Sequence, residues 1–199
     1  GRKVFTSGIA LNPRLNFGDG LVHVQADSVY LRAINVARAN LNAGDSVRLL
    51  GRIRVDQGRK VLDDVTPFVL ISAATIPQPR EITTAQAVTA RDGSLDAALV
   101  RVRNAAISDT ATVDGNFRFR ADDGSGKVDV VIRSFLQLNT GAIRPDTVLR
   151  LSQLTGLLVP VLLESGESRW RILPRGGTDV LIEFKQADLS VTATADKAT

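Results

Sequence analysis

Residues 45–65 read DSVRLLGRIRVDQGRKVLDDV, and residues 146–173 repeat the same order as DTVLRLSQLTGLLVPVLLESGESRWRIL. Each copy begins with a long strand pattern that contains one glycine, Gly51 in the first copy and Gly156 in the second. A tight turn, DQG or ESG, then leads into a shorter strand pattern. The repeat predicts that one β unit is present twice along the chain.

The order of strand patterns in each half is that of an OB-fold barrel, in which three strands, a short helical turn and two further strands follow one another. A long strand that serves both sides of a small barrel must bend sharply, and a Cβ at the bend would clash, which explains Gly51 and Gly156. The sequence therefore predicts an all-β protein with two tandem OB-fold-like five-stranded barrels and short helical turns.

Four segments are predicted along the chain. They are a first barrel at 1–72, a Pro-containing connector at 73–97, a second barrel at 98–183 and a flexible tail at 184–199. Pro77 and Pro79 stiffen the start of the connector, and Thr83 and Thr84 are placed to cap a brief helix. The tail lacks an apolar period, although residues 190–195 alternate and could add as an edge strand to a partner.

The composition limits the possible functions without selecting one. The chain has 20 Arg, 5 Lys, 17 Asp and 4 Glu, with a net charge of +4, which permits an anionic partner. The absence of cysteine excludes disulfides, thiolate nucleophiles and cysteine-based zinc sites. No apolar run approaches the roughly 20 residues of a membrane span. Methionine is also absent, which predicts a chain processed by removal of a secretory signal, although a trimmed sequence would look the same.

No motif in the sequence predicts catalysis. His23, the single histidine, lies between two valines, and no Ser-plus-acid pattern surrounds it. Residues 122–126 (DDGSG) lack the alternating ligands of a 12-residue calcium loop and predict a hairpin turn, with a weak cation site as the alternative. Residues 175–177 (RGG) lack the Lys-Ser/Thr of a phosphate loop. We therefore expect no catalytic residues, no metal site, no cofactor and no enzyme activity.

Nucleic-acid binding by an OB barrel needs aromatic rings for base stacking and positive charge along a groove. Phe117 and Phe119 are each followed by an arginine, and strand alternation places these rings in the core and the arginines outside. Trp170 lies between two arginines, and Tyr30 lies two residues before another. The predicted binding residues are Tyr30, Arg32, Arg118, Arg120, Arg169, Trp170 and Arg171. Alternatively, these arginines solvate the surface or meet a protein partner, and carbohydrate or small ligands remain a further alternative.

Several stretches resemble the OB-like domains of bacterial secreted proteins, some of which accompany extracellular nucleases. They are residues 99–109 (LVRVRNAAISD), 117–126 (FRFRADDGSG) and 174–179 (PRGGTD), with a weaker likeness at 4–10 (VFTSGIA). The resemblance covers about residues 1–182 and implies a barrel outside the cytoplasm. It does not imply nuclease chemistry, because the catalytic parts of such proteins lie in other domains.

The combined expectation is a non-catalytic subunit located in the periplasm or secreted from a bacterium. It would dock on another protein or a multi-subunit assembly through the loops that join its strands. Those loops are predicted at 12–19 and 56–58 in the first barrel and at 108–115 and 164–168 in the second. The alternative is a single-stranded nucleic-acid-binding OB module that is accessory to a secreted nuclease.

Overall fold

The computed structural model of this chain describes residues 2–17, 20–37, 40–141 and 143–185. The first strands are β1 (Lys3–Ala10), β2 (Val22–Ala26), β3 (Val29–Ala33), β4 (Ser46–Asp56) and β5 (Arg59–Ile71). A short strand β6 (Arg80–Glu81) and one helix α1 (Thr84–Thr89) follow. The remaining strands are β7 (Leu99–Val113), β8 (Asn116–Asp122), β9 (Lys127–Ile132), β10 (Val148–Leu162), β11 (Ser168–Leu173) and β12 (Val180–Phe184). Single 3₁₀ turns cover Ser134–Leu136 and Gly177–Asp179.

Strands β1 to β5 form a closed barrel in the order β1-β2-β3-β5-β4, and β4 pairs with β1 to close it. The β3–β5 pairing is parallel, whereas the other pairings in this barrel are antiparallel. Strands β7 to β11 repeat this arrangement as β7-β8-β9-β11-β10, and the pairing of β10 with β7 closes the second barrel. The β9–β11 pairing is again parallel. The predicted fold of two OB-fold-like five-stranded barrels is confirmed.

The two repeated glycines lie where the long strands bend. A Cβ on Gly51 would lie 2.7 Å from Leu62 Cγ and 2.8 Å from the carbonyl oxygen of Asp63. A Cβ on Gly156 would lie 2.6 Å from Ile172 Cγ2 and 2.7 Å from the carbonyl oxygen of Leu173. In both barrels the fourth strand therefore approaches the fifth too closely for any side chain at this point, as the sequence predicted.

The segment between the barrels packs onto the second barrel. Strand β6 pairs in parallel with β7, and helix α1 contributes Ala87 to the buried core of that barrel. Thr83 begins the helix with the predicted cap, because its hydroxyl accepts from Gln86 N while the Gln86 side chain accepts from Thr83 N. Strand β12 adds to the free side of β10 and ends at Phe184, which pairs with Val148.

Three local expectations differ from the structure or fall outside it. Residues 108–113 continue β7, so the loop predicted at 108–115 is reduced to a turn at Asp114 and Gly115. One of the predicted short helical turns fell at 36–42, and it is absent from the described part of that stretch, where Val36 forms a parallel bridge with Val65. The tail segment 186–199, including the alternating residues 190–195, lies outside the described residues. No helix in the described ranges has the length and apolar character needed to cross a membrane.

The barrels share a buried apolar cluster. Its members are Leu11, Phe17 and Leu21 of the first barrel and Leu99, Val131, Leu157, Val159 and Leu173 of the second. Polar contacts reinforce it, since Asn16 Nδ2 donates to the carbonyl of Arg175 at 2.7 Å and Arg175 donates to the carbonyl of Leu11 at 3.1 Å. Gln57 Oε1 accepts from Leu162 N at 2.9 Å. These contacts hold the cleft between the barrels in a defined shape.

Candidate functional site

Four of the predicted binding residues lie together on the outer face of the second barrel. Phe119 and Trp170 point into the core, so alternation directs Arg118 and Arg120 on β8, and Arg169 and Arg171 on β11, to the outside. Strand β9 lies between them and aligns Asp129 with Arg120 on one side and Arg171 on the other. We call this surface the arginine face, and it comprises Arg118, Arg120, Arg169, Arg171 and, directly after β9, Arg133.

Arg133 was not predicted. The alternation of β9, with Val128, Val130 and Ile132 directed inward, places Arg133 on the outer side, so the pattern contained a local signal. Its proximity to Arg171 follows from the parallel β9–β11 pairing, which joins distant parts of the chain. No local pattern around Arg133 indicates that pairing.

Arg118, Arg120, Arg169 and Arg171 of the arginine face line a groove of about 690 Å³, and Phe119 and Trp170 also contribute to its lining. The rim of the groove is neutralised by ion pairs between exposed side chains. Arg120 lies 3.2 Å from Asp129 and 3.4 Å from Asp109, and Arg169 lies 3.8 Å from Glu167. Exposed pairs of this kind contribute little to stability and exchange readily for other partners.

The centre of the groove is different, because Arg118 and Arg171 form no ion pair with any residue in the described ranges. Both side chains are half-buried, and the Nε of each is buried without a hydrogen-bond partner there. Burial lowers the pKa of Arg171, and the positive charges of Arg133 and Arg118 lower that pKa further, against an opposing effect of Asp129. The protein therefore holds like charges close together in a partly desolvated place, which an anion would relieve.

Arg171 and Val161 also line a second space of about 360 Å³ between the two barrels, so the two spaces are adjacent. We call it the inter-barrel cavity. Arg32 reaches it from β3 and is 4% exposed. Its Nη2 lies 3.0 Å from a carboxylate oxygen of Asp56 and donates to the Asp56 carbonyl at 2.9 Å. The remaining lining residues are Leu21, Ile34, Gln57, Arg133, Val159 and Pro160.

The two aromatic residues that were predicted to bind are not outward side chains of the arginine face. Trp170 is 7% exposed in the core, and its Nε1 donates to Asp96 at 2.8 Å. Tyr30 is half-buried and packs against the core of the second barrel from the first. Trp170 is therefore a core side chain, and the arginine face has no aromatic ring among its described outward side chains.

His23 lies in the core of the first barrel rather than in a site. Its ring is fully buried, with Nδ1 3.1 Å from Asn12 Oδ1 and Phe17 packed edge-on against it. Burial lowers the pKa of His23 to about 3, and the positive charge of Arg32 acts in the same direction. The imidazole is therefore neutral at physiological pH.

The DDGSG stretch forms the predicted hairpin turn between β8 and β9. Asp123 accepts from the backbone N of Thr84 at 3.1 Å and from its hydroxyl at 2.6 Å, while Ser125 also contacts the start of α1. These oxygens tie the turn to the helix. Within the described residues, no three His, Asp or Glu side chains are grouped so that they could hold a metal ion.

Neither the comparison with protein-family models nor the comparison with curated proteins finds a match for this chain. Solved structures of HIN domains are similar at low level. The HINa domain of Ifi202 in complex with a 20-base-pair double-stranded DNA is 11% identical, covers 94% of this chain and 100% of its own, and has a TM-score of 0.36. A murine DNA-binding protein bound with double-stranded DNA is 7% identical, with coverages of 94% and 100% and a TM-score of 0.42. The tetrameric p202 HIN2 domain is 14% identical, with coverages of 92% and 94% and a TM-score of 0.39. At these values the likeness gives no information about function.

Proposed function

We propose that this protein binds nucleic acid through the sugar-phosphate backbone, along the arginine face of the second barrel. One observation carries the proposal. Arg118 and Arg171 lie half-buried in the groove, neither forms an ion pair with a described residue, and the positive charges of Arg118 and Arg133 act on Arg171.

The position of this face within the barrel supports the proposal. Oligonucleotides and oligosaccharides bind OB folds on the face of the second and third strands, between the loops that follow the first and fourth strands. In the second barrel these strands are β8 and β9, and the corresponding loops are 114–115 and 163–167. The guanidinium group is planar and donates in a fork that matches the oxygens of a phosphate, so arginines placed here favour a phosphate-bearing polymer.

The same geometry favours backbone contacts over base stacking. Stacking requires exposed rings, whereas the core of the barrel holds Phe119 and Trp170. Phosphate contacts alone do not distinguish a duplex from a single strand by sequence. We therefore propose binding that is independent of sequence and accepts both forms, instead of the single-strand binding that was the alternative drawn from the sequence.

Fluorescence anisotropy with labelled single-stranded and double-stranded oligonucleotides tests the proposal. With about three phosphate contacts, the affinity for a duplex falls about fortyfold between 50 and 200 mM salt. Arg118→Gln and Arg171→Gln should each weaken binding about five- to tenfold and reduce the salt slope by about one. Arg150→Gln is the matched control, because Arg150 is an exposed arginine of the same barrel that pairs with Glu183 outside the groove. Absence of binding at 50 mM salt, or equal losses in the control, would refute the proposal.

A second candidate function is docking on a protein partner, and an apolar patch on the first barrel favours it. Phe5 is 66% exposed, and Phe68 is 47% exposed on the neighbouring hairpin. Strand β4 lies between them. Its Leu50 pairs with Phe5, and Arg48, two residues earlier on the same strand, pairs with Phe68. The patch lies on strands, whereas the sequence predicted docking through loops. Protection of this patch from hydrogen exchange in extracts of the source cells, relative to buffer, would support docking. The extracytoplasmic location stays a prediction.

A further inference from the structure

Strand β5 ends in four consecutive apolar residues that the fold leaves exposed, and we call them the apolar edge. Phe68 is 47% exposed, Val69 39%, Leu70 54% and Ile71 63%. Val69 lies on the core side of the strand, because it pairs with the fully buried Val47, yet it is not part of the core of the first barrel. A run of exposed apolar residues of this length indicates a contact with another molecule.

The apolar edge also borders the sheet. Among the described residues, the pairings on the β3 side of β5 end at Val65, and β4 alone pairs with the apolar edge. Natural proteins protect such edges with charged side chains, proline or bulges. Here Pro67 precedes the edge and a bulge falls at Leu70, but no charge is present. A backbone ladder on this edge is therefore short, and the apolar side chains supply most of any contact.

The distribution of charge favours a second copy of this chain as the occupant. Residues 65–79 (VTPFVLISAATIPQP) contain no charged side chain, so two identical edges do not repel each other. A two-fold axis places the same apolar side chains and backbone groups on both sides, so one surface is its own complement. Arg48, which pairs with Phe68, lies one strand away from the edge. Across an edge-to-edge contact the two Arg48 positions are about 14 Å apart, which exceeds the Debye length of about 8 Å.

We propose that two copies of this chain associate through the apolar edge, about a two-fold axis. The inference does not depend on nucleic-acid binding. It rests on the second candidate function in using the patch that contains Phe68, and it names a second copy as the protein partner. Standard interfaces bury about 800 Å² on each partner. An edge of four residues with an interrupted ladder covers less, so the dimer forms and dissociates with protein concentration.

Analytical ultracentrifugation of the full chain without nucleic acid tests the proposal. Between about 1 µM and 1 mM protein, the average mass should rise from that of one chain towards that of two. Leu70→Lys and Leu70→Glu should each keep the mass of one chain, because like charges then meet across the axis. An equimolar mixture of the two variants should recover the dimer, because opposite charges then meet. Leu149→Lys is the matched control, because Leu149 is 51% exposed on the second barrel, and it should dimerise like the unmodified protein.

The mixture also shows that the variants fold, since unfolded chains would not recover a dimer, and circular dichroism verifies this directly. The mass of one chain for the unmodified protein over the whole range would overturn the inference. Undiminished dimers of Leu70→Lys, an equal loss in Leu149→Lys or no recovery in the mixture would overturn it as well. A single chain in isolation, with the patch protected from hydrogen exchange in cell extracts, would overturn the inference and leave docking on a different protein standing.

Discussion

Arg59 of the first barrel lies over Trp170 of the second, with its guanidinium carbon 5.4 Å from the centre of the indole ring. Arg59 also donates to the carbonyl of Gly93 at 2.8 Å and lies 3.5 Å from one carboxylate oxygen of Asp96. The other oxygen of Asp96 accepts from Trp170 Nε1. Trp170 is therefore part of the contact that holds the two barrels together, on the inner side of the strand whose outer side carries Arg169 and Arg171.

Replacing Trp170 by phenylalanine tests whether Trp170 stabilises the contact between the barrels or binds nucleic acid. Trp170→Phe keeps an aromatic ring in the core and leaves the Asp96 oxygen without its indole donor. We expect the free energy of unfolding to fall by about 1–2 kcal/mol, measured by urea unfolding and far-ultraviolet circular dichroism. Affinity for oligonucleotides should change less than twofold. Phe135→Leu is the control, because Phe135 is 64% exposed and its replacement should change neither quantity. A large loss of affinity at unchanged stability would restore the stacking role predicted from the sequence.

The repeated glycines provide a test of the fold itself. Gly51→Ala and Gly156→Ala each place a methyl group against a backbone carbonyl and a core side chain at less than 3 Å. Such overpacking costs about 1–3 kcal/mol, and we expect a loss of this size in both barrels. Gly176→Ala is the matched control, since no atom lies within 4 Å of the added carbon and its φ is −176°. Loss in one barrel alone would contradict the equivalence of the two bends.

The sequence predicted the features that depend on local pattern and missed those that depend on contacts between the barrels. Gly51 and Gly156 were correctly assigned because a bend and the hairpin after it are adjacent in the chain. The contact of Trp170 with Asp96 joins residues 74 positions apart, so no local pattern indicated it. The proximity of Arg32 to Arg171, which line one cavity, likewise depends on how the two barrels meet. Alternation indicates which side of a strand faces outward, and it does not indicate that a second barrel covers part of that side.

The buried His23 predicts a specific dependence of stability on pH. In the unfolded chain the imidazole takes up a proton near pH 6.5, whereas in the folded protein its pKa is about 3. Between these values the unfolded state binds more protons, so stability falls as the pH falls from 6.5 towards 3, by at most about 1.4 kcal/mol per pH unit. His23→Gln removes this contribution, so its unfolding free energy should fall less steeply between pH 6 and pH 4. Urea titrations at several pH values measure both slopes, and equal slopes would show that His23 is accessible to protons.

Asp129 on β9 pairs with Arg120 on β8 and with Arg171 on β11, so it lies between these two arginines on the arginine face. A bound phosphate backbone must pass this negative charge. It must also compete with Asp129 for Arg120, because Asp129 lies 3.2 Å from Arg120. Asp129→Asn should therefore tighten oligonucleotide binding about two- to fivefold, the effect of an exposed charge worth up to about 1 kcal/mol.

The direction of this change distinguishes a ligand surface from a surface that the arginines only solvate. Removing a carboxylate that merely solvates or stabilises the barrel would lower stability and leave binding unchanged. Glu183→Gln is the matched control, because Glu183 is also an exposed carboxylate paired with an arginine of the second barrel, outside the groove. Anisotropy titrations at 100 mM salt compare the two variants with the unmodified protein. If Asp129→Asn binds no more tightly than Glu183→Gln, the phosphate backbone does not follow the outer face of β8, β9 and β11.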